Sequence, residues 1–338
     1  MFTVYWNVCN EKEGCASPLN LPTGINSNAF TVYEHVLAPD VREQGLHITL
    51  DSGFKQKLFN RMQENFAKLI PDVNQTGVAF LDIENIAFQY GGYIKGYQGT
   101  GQQLVWNKWK EYLDLKWPQV FLGKTEAQKQ DYIAKSYAAQ VGRFVQMCFE
   151  CAKKLRPNLK WGQYGYPNWR NAEYGYSRPN KFSLENDALS WLWKTVDISS
   201  PCLYLPYRSV SDSISSPEPG LQNSWFVNNM LKTNTLEGRR CVGEGKLVIP
   251  YIGLYHMEYC TPNIREQWLS DEDLEKTIII PKENGANGVI IWGIIDSEEK
   301  RNQYQKQIDE RLMPLLYKYN IVMNSTPDFL DMNLNELP

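Results

Sequence analysis

Short apolar runs alternate with amphipathic stretches along the whole 338-residue chain, and that alternation predicts an α/β fold, a distorted (β/α) barrel of TIM type with about seven to eight strands. Two further observations agree. The runs are rich in β-branched and aromatic residues and are mostly separated by helical patterns, as parallel βα units require. No linker rich in Gly, Ser or Pro divides the chain, which favours one barrel over two open sheets even though length alone would suit about two domains. Residues 1–318 are assigned to a single barrel domain. Residues 319–338, without clear periodicity, are assigned to a C-terminal tail packed outside or disordered.

The strand-like runs are Phe2 to Val8, Phe30 to Leu37, Gly77 to Glu84, Leu159 to Tyr166, Val196 to Leu205, Leu247 to Leu254 and Gly288 to Ile295. The clearest helix runs from Thr125 to Leu155. Thr125 with Gln128 three residues on forms a capping box at its start. Ile133, Tyr137, Val141, Phe144, Cys148, Ala152 and Leu155 recur three or four apart and make one buried face. Arg156 and Pro157 stop it. Phe54 to Ile70, Ser183 to Lys194 and Lys300 to Tyr317 also read as helices, and the helix before Asn284-Gly285 should kink at Pro281.

The chain is 43% hydrophobic and 22% charged, which excludes disorder, collagen and coiled coil as the main architecture. Its formal charge is −3, from 35 basic and 38 acidic residues. A general nucleic-acid binder needs a basic surplus, so nucleic acid is not an expected partner. No apolar run reaches the ~18 residues that span a bilayer. The chain opens directly on a strand, with no charged and apolar leader, which leaves a cytosolic protein or a mature chain whose signal peptide has been removed, the second being the expectation. Asn74-Gln75-Thr76 and Asn324-Ser325-Thr326 fit the glycosylation sequon. The expected location is therefore secreted or lysosomal. Seven cysteines, an odd count, leave at least one thiol unpaired.

Gly77-Val78-Ala79-Phe80-Leu81-Asp82-Ile83-Glu84 is the sharpest feature. An apolar strand ends in two acids one residue apart. Alternate residues of a strand share a side, so Asp82 and Glu84 face one way, about 6.5 Å apart along the chain, and Ile83 faces the other. Barrel active sites lie at the C-terminal ends of strands. Two crowded carboxyls should not both ionise, so one keeps a proton near neutral or mildly acidic pH. Cleavage of a glycosidic bond needs such an acid on the leaving oxygen. The alternative is that two acids at a strand end simply begin a solvated loop.

Residues spread over roughly 2 to 318 resemble the animal hyaluronidases, glycoside hydrolase family 56. Val4-Tyr5-Trp6-Asn7-Val8, Asp82-Ile83-Glu84, Lys154-Leu155-Arg156-Pro157, Trp161-Gly162-Gln163-Tyr164-Gly165-Tyr166-Pro167, Pro201-Cys202-Leu203-Tyr204-Leu205, Pro250-Tyr251 and Gly288-Val289-Ile290-Ile291-Trp292-Gly293 carry the resemblance in order and spacing. It implies an endo-β-N-acetylhexosaminidase that cuts a glycosaminoglycan, hyaluronan or chondroitin, with retention and with the substrate's own acetamido group as nucleophile. By position, Glu84 becomes the acid and then the base, and Asp82 shares a proton with it. Tyr164 and Tyr204 hold the acetamido carbonyl, and Trp292 walls its pocket. Tyr33, Tyr251 and Asp296 become substrate-binding residues.

The chain also departs from that family. Asn85-Ile86-Ala87-Phe88 replaces a Trp-Arg-Pro stretch, Gly45 to Leu50 replaces Asn-Gly-Gly-Ile-Pro-Gln, and Ile294-Ile295 replaces polar residues. The disulfide from the first strand's loop to the last helix lacks its second cysteine. These changes touch the groove and leave the acid pair intact, so a catalytically silent glycan-binding barrel is the competing reading. No cofactor and no metal site is expected. The chain has three histidines, His35, His47 and His256, and no His-Glu-x-x-His. Cys148-Phe149-Glu150-Cys151 lies near the C-terminal end of its helix, where the dipole does not activate a thiol, so it reads as packing or as half of a disulfide.

Overall fold

Alternate residues along the first apolar run face opposite sides, and the pattern repeats around the sheet. The structure, a computed structural model, describes residues 2–9, 19–86, 88, 100–167, 179–206, 208–209, 223–256 and 266–322. Its strands are β1 (Thr3–Cys9), β2 (Ile25–Asn26), β3 (Ala29–Tyr33), β4 (Gly77–Asp82), β5 (Leu159–Tyr164), β6 (Ile198–Ser200), β7 (Leu247–Val248), β8 (Tyr251–Ile252) and β9 (Gly288–Ile294). All pairings are parallel, in the orders β2-β1-β9-β8 and β3-β4-β5-β6-β7.

Two bent segments connect the two sheets. β2 pairs with β1, and β3, which starts three residues after β2 ends, pairs with β4. An Asx turn, Asn28 N–H to Asn26 Oδ1 at 2.8 Å, makes that bend. β7 and β8 are one run broken at Ile249-Pro250, because Pro has no N–H for a ladder. Past the break, Tyr251 N–H bonds Pro201 O at 2.9 Å and Leu203 N–H bonds Tyr251 O at 2.8 Å, which carries the pairing across.

β4 shows the two-sided burial that positions the site. Val78 and Phe80 join the core that also holds Tyr204 and Tyr251. Ala79, Leu81 and Ile83 join a second core with Met62 and Phe66 of the helix Phe54–Leu69, and with Tyr137, Val141 and Phe144 of the helix Glu126–Leu155. Ile83 thus faces the helices, as expected. Gly162 on β5 lets the strands approach: a Cβ there would lie 2.9 Å from the Phe80 ring.

Thr125 and Gln128 do form the capping box, each side chain bonding the other's backbone N–H. The predicted face of this helix is buried from Ile133 to Ala152, and Leu155 is half-buried. Arg156 then does more than stop the helix. Its buried guanidinium donates to Phe66 O (3.0 Å), to Ile70 O (2.7 Å) and to Leu155 O (2.7 Å). A cation at the C-terminal end of the helix Phe54–Leu69 complements that helix's dipole.

Several elements are shorter than the sequence suggests. The run Phe30 to Leu37 is strand only to Tyr33, and Glu34–Leu37 is a helical turn. The catalytic-strand candidate ends at Asp82, two residues early. Val196 to Leu205 contains only the three-residue strand β6. Ser183 to Lys194 is two helices, Pro179–Asp187 and Ser190–Thr195. They separate because Leu189 N–H (3.0 Å) and Trp193 Nε1–H (2.7 Å) both bond Asn186 O. Lys300 to Tyr317 is Glu298–Gln307, a π turn at Ile308–Leu312 and Met313–Lys318. Asp271–Glu283 is a helix that contains Pro281. Beyond Lys318, Val322 packs into the barrel core, and residues 323–338 lie outside the described set.

Candidate active site

β3 and β4 pair with Tyr33 opposite Asp82, so the C-terminal ends of both strands open at one level. A cavity of about 430 Å³ begins there, lined by Tyr33, Glu34, His35, Pro39, Arg42, Glu43, Asp82, Glu84 and Asn85. Asp82 sits in its floor at 8% exposure, and Glu84, just past the strand, is exposed at its mouth. The two acids read from the sequence do share one cleft.

Two hydrogen bonds fix the peptide that follows Glu84. Gln102 Nε2 donates to Glu84 O at 2.7 Å, and Asn85 N–H donates to Glu34 Oε2 at 2.8 Å. Both side chains are buried, Glu34 at 5% and Gln102 at 7% exposure. Burial pushes the Glu34 carboxyl above the usual carboxylate range, against the pull of the N–H groups of Asn85 and Glu84 and the charge of Arg42. Neither Glu34 nor Gln102 is among the sites read from the sequence. The available signal was an acid one residue after Tyr33, within a run that otherwise reads as strand.

Aromatic side chains stand close by. Tyr164 ends β5, and its hydroxyl donates to the Tyr204 hydroxyl at 3.5 Å. Burial, and then the neighbouring Cys202, Tyr204 and Asp82, push the Tyr164 phenol well above its ordinary value. Tyr164 therefore stays protonated as a donor. Trp292 on β9 donates from Nε1 to the Tyr33 hydroxyl at 3.2 Å, and its ring centroid lies 6.0 Å from that of Tyr204. A chain of contacts thus runs from Tyr33 through Trp292 and Tyr204 to Tyr164.

Two sequence-based candidates fall elsewhere. Tyr251 is fully buried, its ring edge-on to Tyr164 at 4.8 Å and to Phe80 at 5.2 Å. Its hydroxyl shares a 3.1 Å hydrogen bond with Thr31 Oγ1, which also accepts from Asn7 Nδ2. It supports the floor and has no surface to offer a ligand. Asp296 is exposed beside Lys300, 3.9 Å away in a one-turn pair, and is not among the cavity's lining residues. Cys148, Cys151 and Cys241 are free thiols, so the Cys148/Cys151 pair forms no disulfide. Cys15, Cys260 and the side chain of Cys9 lie outside the described residues, as does most of the glycine-rich stretch from Gly92 to Gly101.

A parallel α/β barrel with two acids at the end of one strand, a tyrosine ending the next and another four residues past the one after has the features expected of a glycoside-hydrolase site. The sequence profile of glycoside hydrolase family 56, Hyaluronidase, matches residues 51–328, and the chain belongs to this family. A hyaluronidase of Tabanus yao, Tab y 2.0101, is 24% identical over 355 residues, covering 93% of this chain and 91% of that protein. A chondroitin hydrolase of Caenorhabditis elegans is 25% identical over 75% of this chain and 52% of its own length. The crystal structure of bee venom hyaluronidase superposes with a TM-score of 0.70 at 22% identity, covering 94% of this chain and 99% of that one. The same enzyme in complex with a hyaluronic acid tetramer gives 0.67 at 19% identity, over 94% and 98%.

Proposed function

We propose that this chain is an endo-β-N-acetylhexosaminidase that hydrolyses a glycosaminoglycan, hyaluronan or chondroitin, by a retaining, substrate-assisted mechanism. The observation that carries the reading is the shared cleft of Asp82 and Glu84; Tyr164, which feels the charge of Asp82, and Tyr204, its hydroxyl 3.5 Å from that of Tyr164, lie behind the cavity's lining residues.

Glu84 gives its proton to the glycosidic oxygen as the bond to C1 breaks. The acetamido carbonyl oxygen closes on C1 from the other face and forms an oxazolinium ring. Asp82 takes the acetamido N–H and offsets the positive charge. Tyr164 and Tyr204 aim the carbonyl oxygen, and Trp292 walls the group in. Glu84, now a carboxylate, draws a proton from water, which opens the ring at C1 and restores the original anomer. An ordinary retaining site would need a nucleophilic carboxylate about 5–5.5 Å from the acid. Glu34 is a poor candidate, because it is buried, raised in pKa and occupied by the Asn85 N–H. Tyr33 lines the sugar cleft.

A secretory or lysosomal route goes with this function. Asn74, in the first sequon, is exposed on the turn before β4, at the end of the barrel away from the cleft. No helix among the described residues is long and apolar enough to cross a membrane.

The test is a reducing-end assay with hyaluronan and chondroitin at acidic and neutral pH, with the anomer of the first product read by NMR. New ends with the retained anomer are expected. Binding to either polymer without new ends would favour the silent, glycan-binding barrel.

A further inference from the structure

The peptide unit between Glu84 and Asn85 is held at both of its polar atoms. Its carbonyl, Glu84 O, accepts from Gln102 Nε2 at 2.7 Å, and its N–H, on Asn85, donates to Glu34 Oε2 at 2.8 Å. The two side chains come from opposite directions. Glu34 opens the short helix after β3, and Gln102 lies in the first turn of the helix Thr100–Lys116. Each is nine-tenths buried, and each has a second oxygen, Glu34 Oε1 and Gln102 Oε1, that is buried with no hydrogen-bond partner among the described residues.

Burying a carboxyl and an amide with incomplete partners costs free energy that an apolar pair would avoid. Neither the sheet nor the helices need these bonds. β4 has already ended at Asp82, so the Glu84–Asn85 peptide has no strand partner to fix its plane. Without fixed partners that peptide could rotate, and the side chain of Glu84 would swing with it.

We propose that Glu34 and Gln102 are positioning residues that clamp the Glu84–Asn85 peptide and so aim the Glu84 carboxyl at the scissile oxygen. The proposal rests on Glu84 being the acid. A clamp of this kind acts on the chemical step and not on binding, because Glu84 must be placed within hydrogen-bond reach of one oxygen while the polymer is gripped along the whole cleft. Glu34 is the more informative member. Arg42 faces it from the helix Pro39–Gln44 and Cys148 from the helix Glu126–Leu155, and Asp82 and Glu84 share its cavity. An amide at this position keeps one oxygen for the Asn85 N–H, while the charge is lost and the second oxygen becomes an NH2 donor.

The test compares Glu34→Gln, Glu34→Leu and Gln102→Leu with the parent, in kcat and KM on hyaluronan or chondroitin and in hydrogen exchange at the Asn85 amide. Glu34→Gln should keep kcat within about threefold. Glu34→Leu and Gln102→Leu should lose about 10- to 100-fold in kcat with KM within about threefold, since misplacement by about 1 Å costs that much. Exchange at Asn85 should quicken at least about tenfold in Glu34→Leu and stay near the parent rate in Glu34→Gln. Equal loss in Glu34→Gln and Glu34→Leu would overturn the clamp in favour of a charge effect. Parent-like kcat in Glu34→Leu would overturn it outright and leave the function standing. A parent chain that cuts neither polymer overturns clamp and function together, and fast Asn85 exchange in Glu34→Leu would then report only the contact.

Discussion

Replacing Glu84 by Gln removes the transferable proton and keeps the side chain's shape. The structure separates this change from the fold. The Glu84 side chain is exposed, and its backbone is held by Gln102 and Glu34, not by its own carboxyl. Stability should therefore move by less than about 0.5 kcal/mol. A positioned general acid contributes about 10²- to 10⁴-fold, so kcat should fall by that factor, about 2.7–5.5 kcal/mol of lost transition-state stabilisation. KM should stay within about threefold, because the cleft's other contacts are untouched. The assay is reducing-end release from both polymers by the purified variant, with thermal unfolding measured on the same preparation. Parent-like kcat with unchanged unfolding would refute the assignment of Glu84. Lost activity with a collapsed melting temperature would refute the claim that its carboxyl is structurally idle.

Three further outcomes are expected. A double-mutant cycle of Tyr164→Phe and Tyr204→Phe should give a coupling of about 0.5–3 kcal/mol in kcat/KM, since the two hydroxyls touch; additive losses would mean the pair does not act on one group. Arg156→Leu removes the donors to the Ile70 and Leu155 carbonyls and one of the two to Phe66 O, and should cost about 2–4 kcal/mol in denaturant unfolding, far more than a surface arginine. His256 is buried with Nδ1 2.9 Å from Leu205 O, and burial lowers its pKa from the ordinary 6.5. The unfolded chain takes up a proton there that the folded state resists, so its contribution to stability is present above pH 6.5 and is lost as pH falls. Melting curves from pH 7.5 to 5 should show His256→Gln falling less steeply than the parent, and equal slopes would refute this.

Local periodicity made the fold legible, and contacts distant in sequence did not. The helix Glu126–Leu155 spans about eight turns, long enough for its buried face and capping box to be read unaided. Phe30 to Leu37 misled because a short apolar run cannot separate strand from helical turn, and Glu34 was hidden in the misread half. Asp82 and Glu84 were legible because spacing of two on a strand dictates a common side. Glu34 and Gln102 were not, since their target lies 51 and 18 residues away and only the β3–β4 register brings the first one there. Tyr251 is a substrate-binding expectation from the family resemblance alone, and in the fold it is fully buried with its ring edge-on to Tyr164.

The polar tie from Asn7 to Thr31 to Tyr251 crosses the barrel interior from the first strand to the eighth, and the Tyr251 ring bears edge-on against Tyr164. A residue 2% exposed on β1 is thus linked through two intermediaries to a tyrosine it never touches. Asn7→Ser or Asn7→Asp would therefore perturb the aromatic stack from the far wall, without altering the identity of any side chain that lines the cleft.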